Sequence, residues 1–289
     1  MDQRVISQEI YNLYDEFTHS TMQRRVFMQR LAKLAGGTSA AAVIAPMLTC
    51  NYAHAAVAET DPRIEIQRVT FKGASGDVKG YLAKPKGVAK APAIVVTHEN
   101  RGLNPHIMDV TRRLATEGFV ALGVDYMSQL GGTPPNDDEA AQQFAKMDAA
   151  KAVGDGVAAV AYLKSHPNST GKIGTVGFCW GGGMSNQIAV NSPDLAAGVV
   201  YYGIQPQAAE AAKIKAKMMI HYAGNDPRIN TRMDEWEKAL KAAKVDVQQF
   251  VYAEKQHGFN NDTSAARYDD AAAKLAWGRT IEFFKKNLA

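Results

Sequence analysis

From residue 64 onward, the chain alternates short apolar runs of strand length with stretches whose apolar residues recur at helical spacing. The predicted strands span residues 64–71, 78–84, 92–97, 119–124, 172–176, 196–202, 217–222 and 246–252. The first two are joined through the segment from Gly73 to Gly76 and predict an antiparallel pair at a sheet edge. The other strands alternate with helices. The pattern therefore predicts an α/β fold with a mainly parallel sheet that is covered by helices on both faces.

The helices predicted between these strands have recognisable ends. They span residues 104–118, 139–165, 184–190 and 232–243, and a final helix carries Trp277, Ile281, Phe284 and Leu288 on one face. Asn104 and Pro105 start the first of these helices, and Gly118 ends it. A loop rich in Ser, Gly and Pro, residues 127–136, precedes the long Ala-rich helix. In a mainly parallel sheet, the loops at the carboxyl ends of the strands are the expected place for a site.

Residues 1–55 follow a different pattern, and one interpretation is an export signal. The pair Arg24-Arg25, a mostly apolar run over residues 31–48 and a small-residue site that ends at Ala55 are typical of twin-arginine export. This interpretation predicts cleavage after Ala55 and a periplasmic protein that consists of residues 56–289. Lys33 interrupts the apolar run, so we predict neither a transmembrane helix nor a stable membrane association after processing.

The other interpretation is a helical arm that stays attached to the domain. An apolar stripe at helical spacing precedes the arginine pair and consists of Ile6, Ile10, Leu13 and Phe17. Export signals usually begin close to the arginine pair, so the long segment ahead of it favours a retained arm. In this alternative the protein is cytoplasmic, and the arm docks on the domain or on a second copy of the chain.

Composition and charge narrow the classes of function. The chain has 289 residues, of which 46% are hydrophobic, and a formal net charge of +4 without a basic block. These values predict a globular protein with one sizeable core, residues 56–289, and give no support for nucleic-acid binding. The two cysteines, Cys50 and Cys179, do not have metal-ligand spacing, so we predict no metal site. We expect a monomer or a homodimer.

The segment Gly177-Phe178-Cys179-Trp180-Gly181 lies between a predicted strand and a predicted helix. A strand, a tight turn flanked by glycines and a helix form the context of a nucleophile elbow, here with Cys where Ser usually stands. The two glycines let strand and helix approach closely, and the helix N-terminus favours the thiolate of Cys179. The motif alone is weak, because a buried Cys beside packing glycines explains it equally well.

Two further polar residues follow predicted strands. Asp226 comes after the seventh strand and His257 after the eighth. Each has an ordinary explanation, since Asp before Pro227 is common in turns and a lone His in a loop carries little information. Together with Cys179, however, they stand in the order nucleophile, acid, base of α/β-hydrolases. We therefore predict that His257 takes the thiol proton and later activates water, and that Asp226 orients His257.

The loop after the third predicted strand reads His98-Glu99-Asn100-Arg101-Gly102. A loop in this place supplies a backbone N–H to the oxyanion hole of such enzymes. We predict the N–H groups of Asn100 and Trp180 as the two oxyanion donors. Glu99 is a further candidate for the site, and a surface ion pair with Arg101 is its alternative explanation.

These segments together resemble the dienelactone hydrolase family. The resemblance rests on residues 98–102, 177–182 and 257–259 and on the loop of Asp226, and it covers most of the chain from residue 64 to 288. It implies a single-domain α/β-hydrolase fold with a Cys-His-Asp triad and no cofactor. It also implies that Glu99 pairs with the resting thiol of Cys179 and hands it over when substrate binds.

The chain departs from the family where dienelactone-cleaving members hold a substrate carboxylate. Those members have an arginine four residues after the catalytic His, and this chain has Asn261 there. A second loop from which an arginine is expected carries Asp137, Asp138 and Glu139 instead. The arginines available as substitutes are Arg101, Arg228 and Arg267. Our candidates for substrate contact are Arg101, Tyr126 and Asn261.

The leading hypothesis is a hydrolase of small esters or lactones that forms an acyl-thioester on Cys179. A thioesterase or a general carboxylesterase is the alternative with the same chemistry. An alternative of another class is a non-catalytic redox-sensing thiol protein or a binding protein. A redox sensor needs a resolving cysteine, which only a retained Cys50 provides.

Overall fold

The computed structural model describes residues 6–20, 22–53 and 55–289. The strands are β1 Ile64–Gly73, β2 Gly76–Pro85, β3 Ala91–Thr97, β4 Val120–Asp125, β5 Ser169–Phe178, β6 Leu195–Tyr201, β7 Lys217–Asn225 and β8 Val247–Gln256. The helices are α1 Gln8–His19, α2 Arg24–Ala35, α3 Thr38–Leu48, α4 Pro105–Thr116, α5 Asp137–Phe144, α6 Ala149–Ser165, α7 Trp180–Asn191, α8 Pro227–Asn230, α9 Met233–Ala242 and α10 Asp270–Asn287.

All eight strands form one sheet in the order β1-β2-β4-β3-β5-β6-β7-β8. Strand β2 is antiparallel to both of its neighbours, and every other neighbouring pair is parallel. The predicted mainly parallel sheet with an antiparallel pair at one edge is therefore confirmed. Because β3, β5, β7 and β8 run in the same direction, the loops that follow them meet at one edge of the sheet.

Apolar side chains pack on both faces of the sheet. One face is covered by α4 and α10, and the other by α6, α7 and α9. The central strand β4 is buried along its whole length, as expected for a strand between two layers of helices. The carboxyl edge of the sheet thus rests on a rigid core, which fixes the positions of the loops above it.

The first three helices, which we call the arm, have a hydrophobic cluster of their own. Its buried members are Ile10, Leu13, Tyr14, Phe27, Leu31, Ala41, Ala45 and Leu48. Helices α2 and α3 meet at 115°, and Gly36 and Gly37 supply the positive φ angles of the turn between them. By length and apolar composition, no single described helix reaches what a membrane crossing needs, although the bent pair α2–α3 does so jointly.

The arm docks on the segment that follows His257. The hydroxyl of Tyr11 donates to the Ala266 carbonyl at 2.8 Å, and the N–H of Asn51 donates to the Thr263 carbonyl at 2.7 Å. The N–H of Ala266 in turn donates to the Met47 carbonyl at 3.1 Å. These bonds place the C-terminal end of α1 over the carboxyl edge of the sheet.

Two predicted elements differ from the structure. The helix expected over residues 139–165 is two helices, because the Asp148 side chain accepts from the N–H groups of Ala150 and Lys151 and so begins α6 anew. The expected loop 127–136 contains a short 3₁₀-helix, Tyr126–Leu130, whose N-terminus is capped by Asp125.

Candidate active site

Cys179 occupies the turn between β5 and α7. Its backbone has φ 57° and ψ −118°, a conformation that residues with a side chain rarely adopt. A Cβ at Gly177 would overlap the Gly181 carbonyl, and a Cβ at Gly181 would overlap the Thr97 carbonyl. Both positions therefore require glycine, and the tight turn holds the thiol above the end of β5.

His257 and Asp226 form a buried, hydrogen-bonded pair beside this thiol. Asp226 follows β7 and caps α8, and His257 follows β8. The Asp226 Oδ2 lies 2.5 Å from the His257 Nδ1. A ring nitrogen of His257 lies within 4.8 Å of the Cys179 Sγ. The Nε2 has no hydrogen-bond partner among the described residues. The structure brings the three predicted residues together with the carboxylate on Nδ1 and Nε2 free for a thiol proton.

A second histidine, His19, reaches the same thiol from the arm. Its Nε2 lies 3.1 Å from the Cys179 Sγ. Its Nδ1 lies 2.8 Å from the Asp15 carbonyl oxygen, its hydrogen-bond acceptor, and 3.1 Å from the Asp15 Oδ1. Asp15 and His19 are one turn apart on α1, so one helix face presents both. Arg228 touches both side chains, with Nε 3.0 Å from the Asp15 Oδ2 and Nη2 3.2 Å from the His19 Nε2.

His19 was not among the site residues predicted from the sequence, because residues 1–55 were expected either to form an export signal or to dock without a role in the site. The only local signal was the spacing of Asp15 and His19 on an amphipathic helix, and this spacing alone is common in solvated helices.

The charges around Cys179 favour its thiolate. Burial raises the pKa of the thiol, but the imidazoles of His19 and His257 outweigh burial and lower the pKa to about 6. Burial lowers the pKa of His19, yet the Cys179 thiolate and Asp15 raise it to about 9. Burial lowers the pKa of His257 as well, while Asp226 and the thiolate raise it to about 10. The favoured state at neutral pH is a thiolate between two imidazoliums, which titrate as one coupled group.

The two predicted oxyanion donors approach the thiol from separate loops. The N–H of Trp180 begins α7 directly after Cys179, and Asn100 lies in the loop after β3. Neither N–H donates a backbone hydrogen bond within the part of the chain that the structure describes. Both groups are therefore available to an oxyanion. The side-chain amide of Asn100 donates to the Thr18 carbonyl, which ties this loop to the arm.

Glu99 has a different partner from the one that the resemblance implies. Its Oε2 accepts a hydrogen bond from the Asn261 Nδ2 at 2.8 Å, and the Asn261 Oδ1 accepts from the N–H of Thr263. In this arrangement, and within the described residues, the hydrogen-bond contact of the Cys179 thiol is with His19 and not with Glu99. Asn261 is engaged by Glu99, so its amide is not free for a substrate.

Tyr126, a predicted substrate contact, is completely buried. Its ring packs edge-to-face on Trp180 and His98, with centroids 5.4 Å and 5.3 Å away. The enclosed ring supports the side chain of Trp180 by packing against it, and it has no exposed surface for a substrate. The prediction for Tyr126 is therefore corrected to a packing role.

Two spaces open beside Cys179, and the arm forms a wall of both. A groove of about 880 Å³ lies between the arm and α5, and its apolar lining includes Phe17, Met22, Phe144, Trp180 and Ile204. A second space of about 220 Å³ has a charged lining that includes Glu99, Arg101, Asp137 and Arg267. The three arginines proposed as substitutes divide between them: Arg101 lines both, Arg228 the groove, and Arg267 the smaller space.

The cluster of His19, Cys179 and His257 has the ligand types of a zinc site, and one ligand atom of each lies within 4.8 Å of the others. The guanidinium of Arg228 lies 3.2 Å from one of these atoms, the His19 Nε2, and its charge opposes a cation there. The arrangement is better suited to proton transfer. Both cysteines of the chain are free thiols, so no disulfide blocks the turn at Cys179.

Residues 78–288 match the family model described as the dienelactone hydrolase family, and residues 1–36 match a model described as YqhI-like. A provisionally named carboxymethylenebutenolidase of Saccharolobus solfataricus is 30% identical over 258 residues, which cover 76% of this chain and 98% of that protein. A provisionally named hydrolase fragment of Escherichia coli, YghX, is 47% identical over 106 residues, or 35% of this chain and 91% of the fragment. The crystal structure of a provisionally named dienelactone hydrolase from Klebsiella pneumoniae is 26% identical, with a TM-score of 0.70, and covers 77% of this chain and 99% of its own.

Proposed function

Because this chain belongs to the dienelactone hydrolase family and is a carboxylic ester hydrolase, we propose that it cleaves small esters or lactones through an acyl-thioester on Cys179. The observation that carries the proposal is the position of this thiol. It stands on a strained turn, beside a His257 whose Nδ1 is bound by Asp226 and whose Nε2 has no other partner among the described residues. This is the geometry of an activated nucleophile.

In the proposed acylation, the Cys179 thiolate attacks the ester carbonyl, and the carbonyl π electrons move to oxygen. The N–H groups of Asn100 and Trp180 stabilise this oxyanion by several kcal/mol. The adduct collapses, the bond from carbon to the leaving oxygen breaks, and the leaving oxygen takes a proton from the coupled imidazolium pair, which leaves His257 neutral in the acyl-enzyme. In deacylation, His257 takes a proton from water, the hydroxide attacks the thioester, and the carboxylic acid leaves while the thiolate returns.

The lining of the two spaces supports a substrate with one apolar and one polar part. The groove offers aromatic and aliphatic side chains, and the smaller space offers Arg101 and Arg267 beside Glu99 and Asp137. We propose that Arg101 and Arg267 take the place of the arginine that Asn261 replaces. Substrates with a carboxylate, such as lactone acids, then direct that group to the smaller space.

We also propose that residues 1–55 stay attached to the domain instead of being removed by export. The arm has its own hydrophobic cluster, binds the segment 263–266, and contacts Cys179 through His19. Cleavage after Ala55 exposes all of these surfaces to water. The retained arm supports the cytoplasmic alternative, and the mass of the mature protein from cytoplasmic and periplasmic fractions tests it. A mature chain that starts after Ala55 contradicts the proposal.

The function is tested by intact mass spectrometry after the purified protein is mixed with an activated acetyl ester. We expect one acetyl adduct on the wild type, no adduct on Cys179→Ala, and steady ester turnover by the wild type only. Cys50→Ala is the matched control, because it removes the other thiol and is expected to keep the adduct.

Other outcomes separate the alternatives. An adduct that forms but does not clear favours a thioesterase with another acyl group. Turnover that survives in Cys179→Ala contradicts the acyl-thioester mechanism. If neither protein forms an adduct or turns over ester, and Cys179 instead oxidises reversibly, the redox-sensing alternative gains.

A further inference from the structure

We propose that His19, held by Asp15, is a second acid–base residue of this site and protonates the leaving oxygen of the ester. This inference rests on the function proposed above and adds a catalytic residue that lies outside the hydrolase domain. It makes the arm a part of the active site.

The first observation is that the Asp15–His19 pair repeats the Asp226–His257 pair on another side of the thiol. In each pair a carboxylate oxygen lies near Nδ1, at 3.1 Å for His19 and 2.5 Å for His257. The Nδ1 of His19 is also 2.8 Å from the Asp15 carbonyl, which is its hydrogen-bond acceptor, and its Nε2 lies 3.1 Å from the Cys179 Sγ. A ring nitrogen of His257 lies within 4.8 Å of the same sulfur. The two imidazole rings stand nearly perpendicular, with centroids 5.2 Å apart. An imidazole whose Nδ1 donates to an oxygen presents Nε2 for proton transfer.

The second observation is which space each imidazole faces. His19 and Cys179 both line the apolar groove of about 880 Å³, whereas His257 is not among its described lining residues. Both histidines line the smaller charged space. An ester whose alcohol part lies in the groove therefore has its leaving oxygen on the side of His19. His257 remains on the thiol side, where the attacking water enters.

The third observation is the guanidinium of Arg228, 3.2 Å from the His19 Nε2. A positive charge at this distance opposes a permanent charge on the imidazole and makes its proton easier to donate. The carboxylate of Asp15 acts in the opposite direction and also binds the Arg228 Nε at 3.0 Å. The Nε2 of His19 therefore lies between a group that favours release of its proton and a group that favours its retention.

The proton balance of the proposed cycle closes with two imidazoles. Before acylation, Cys179 is a thiolate and both rings are protonated. When the adduct collapses, the carbon–oxygen bond breaks and the Nε2 proton of His19 passes to the leaving oxygen, so a neutral alcohol departs and one imidazole is neutral. Hydrolysis of the thioester consumes one water. After the alcohol departs, the proton of His257 passes to His19, so that His257 is neutral in the acyl-enzyme. His257 then takes the proton of the water, which restores the charge of the coupled pair, and the hydroxyl becomes part of the carboxylic acid.

The test compares leaving groups in the full-length protein. kcat/KM is measured for acetate esters ranging from aryl esters of acidic phenols to simple alkyl esters, with the wild type, His19→Gln and His166→Gln. For His19→Gln we expect a loss of about a hundredfold or more with alkyl esters, which need a general acid, and of less than about tenfold with activated aryl esters. His166 caps the C-terminus of α6 just before β5, whereas Cys179 follows the other end of that strand, so His166→Gln is expected to behave as the wild type.

Rescue separates proton transfer from packing. Added imidazole is expected to restore alkyl-ester turnover of His19→Gly and to leave His166→Gly unchanged. If His19→Gln is poorly folded, Asp15→Asn keeps the imidazole in place and is expected to show the same selective loss, of smaller size.

Equal losses with all leaving groups, or no loss at all, in folded His19 and Asp15 variants overturn the inference and leave the proposed function intact. Absence of Cys179-dependent turnover and acylation in the wild type contradicts the proposed function, and this inference with it.

Discussion

Two imidazole–carboxylate pairs face one thiol in this protein, and they are anchored in different ways. Asp226 and His257 follow β7 and β8, which are neighbours in the sheet, and both side chains are buried. Asp15 and His19 lie on a single helix of the arm, which reaches the site through surface contacts. The first pair is thus a fixed part of the domain core, and the second depends on docking.

The two imidazole–carboxylate pairs therefore differ in the free energy that is needed to separate them from the thiol. The pair on the sheet can be lost only when the domain itself unfolds. The pair on α1 is lost whenever the arm opens locally, which costs less free energy than global unfolding. We therefore expect the part of the thiol activation that comes from His257 to persist when the arm opens, and the part that comes from His19, together with the groove side of the site, to depend on the arm.

Breaking the pair on the sheet has the largest expected effect. His257→Gln removes the group that takes the thiol proton and activates water, so kcat/KM is expected to fall by about 10²–10⁴ for every ester, regardless of the leaving group. Asp226→Asn is expected to fall in the same direction because it misorients the ring. His166→Gln serves as the control in the same steady-state assay. Aryl-ester activity of His257→Gln within a few-fold of the wild type contradicts the assignment.

The second largest effect is expected from a variant that weakens the packing of the arm. Leu31 is fully buried in the arm cluster, and its replacement by Ala is expected to cost about 2–5 kcal/mol, mostly in the packing of the arm. Limited proteolysis followed by mass spectrometry is expected to show faster cleavage within the arm, with alkyl-ester turnover reduced. The thermal unfolding of the domain is expected to change little.

The matched control for this change is Leu34→Ala, because Leu34 lies on the same helix and is 44% exposed. It is expected to leave both the cleavage rate and the turnover near the values of the wild type. If Leu31→Ala lowers domain stability as much as a core change such as Ile94→Ala, the arm and the domain unfold as one unit, and the comparison drawn above is wrong.

The pH dependence of thiol reactivity tests how far each histidine controls the charge of Cys179. A pKa of about 6 for Cys179 means that the thiolate forms as pH rises through about 6 and persists above it. The rate of alkylation by iodoacetamide is therefore expected to rise with a midpoint near this value. His19→Gln removes one positive neighbour, which disfavours the thiolate and moves the midpoint upward. A midpoint that stays in place or falls shows that His257 alone sets the charge of the thiol.

The smallest expected effect concerns Glu99. Asn261→Ala removes the amide that binds the Glu99 carboxylate and frees it to turn towards Cys179, as the family resemblance implies. A negative charge near the thiolate raises the thiol pKa, so alkylation at neutral pH is expected to slow by a factor of about ten or less. The double variant Glu99→Gln, Asn261→Ala is expected to regain the rate of the wild type. Unchanged alkylation in Asn261→Ala indicates that Glu99 does not reach the thiol.

Local sequence patterns were sufficient to predict the parallel sheet and the edge of the sheet at which the site lies. The alternation of strands and helices predicted a parallel sheet, and parallel strands bring their following loops to one edge. Cys179, Asp226 and His257 were therefore predicted to lie close together. The prediction of one helix over residues 139–165 was wrong, because a single side chain starts a second helix there. Asp148 caps a new helix in the middle of an Ala-rich stretch, and propensity alone favours a continuous helix there.

The sequence by itself determined the sheet, the nucleophile turn and the order of the residues around it, because periodicity, glycine spacing and strand ends are local properties. Only the tertiary structure decided that His19, which lies 160 positions before Cys179, is within hydrogen-bond distance of it, and that Asn261 binds Glu99. Such contacts depend on how two folded surfaces dock. The free energy of docking is summed over many residues far apart in the chain, and no local pattern records which surface faces which.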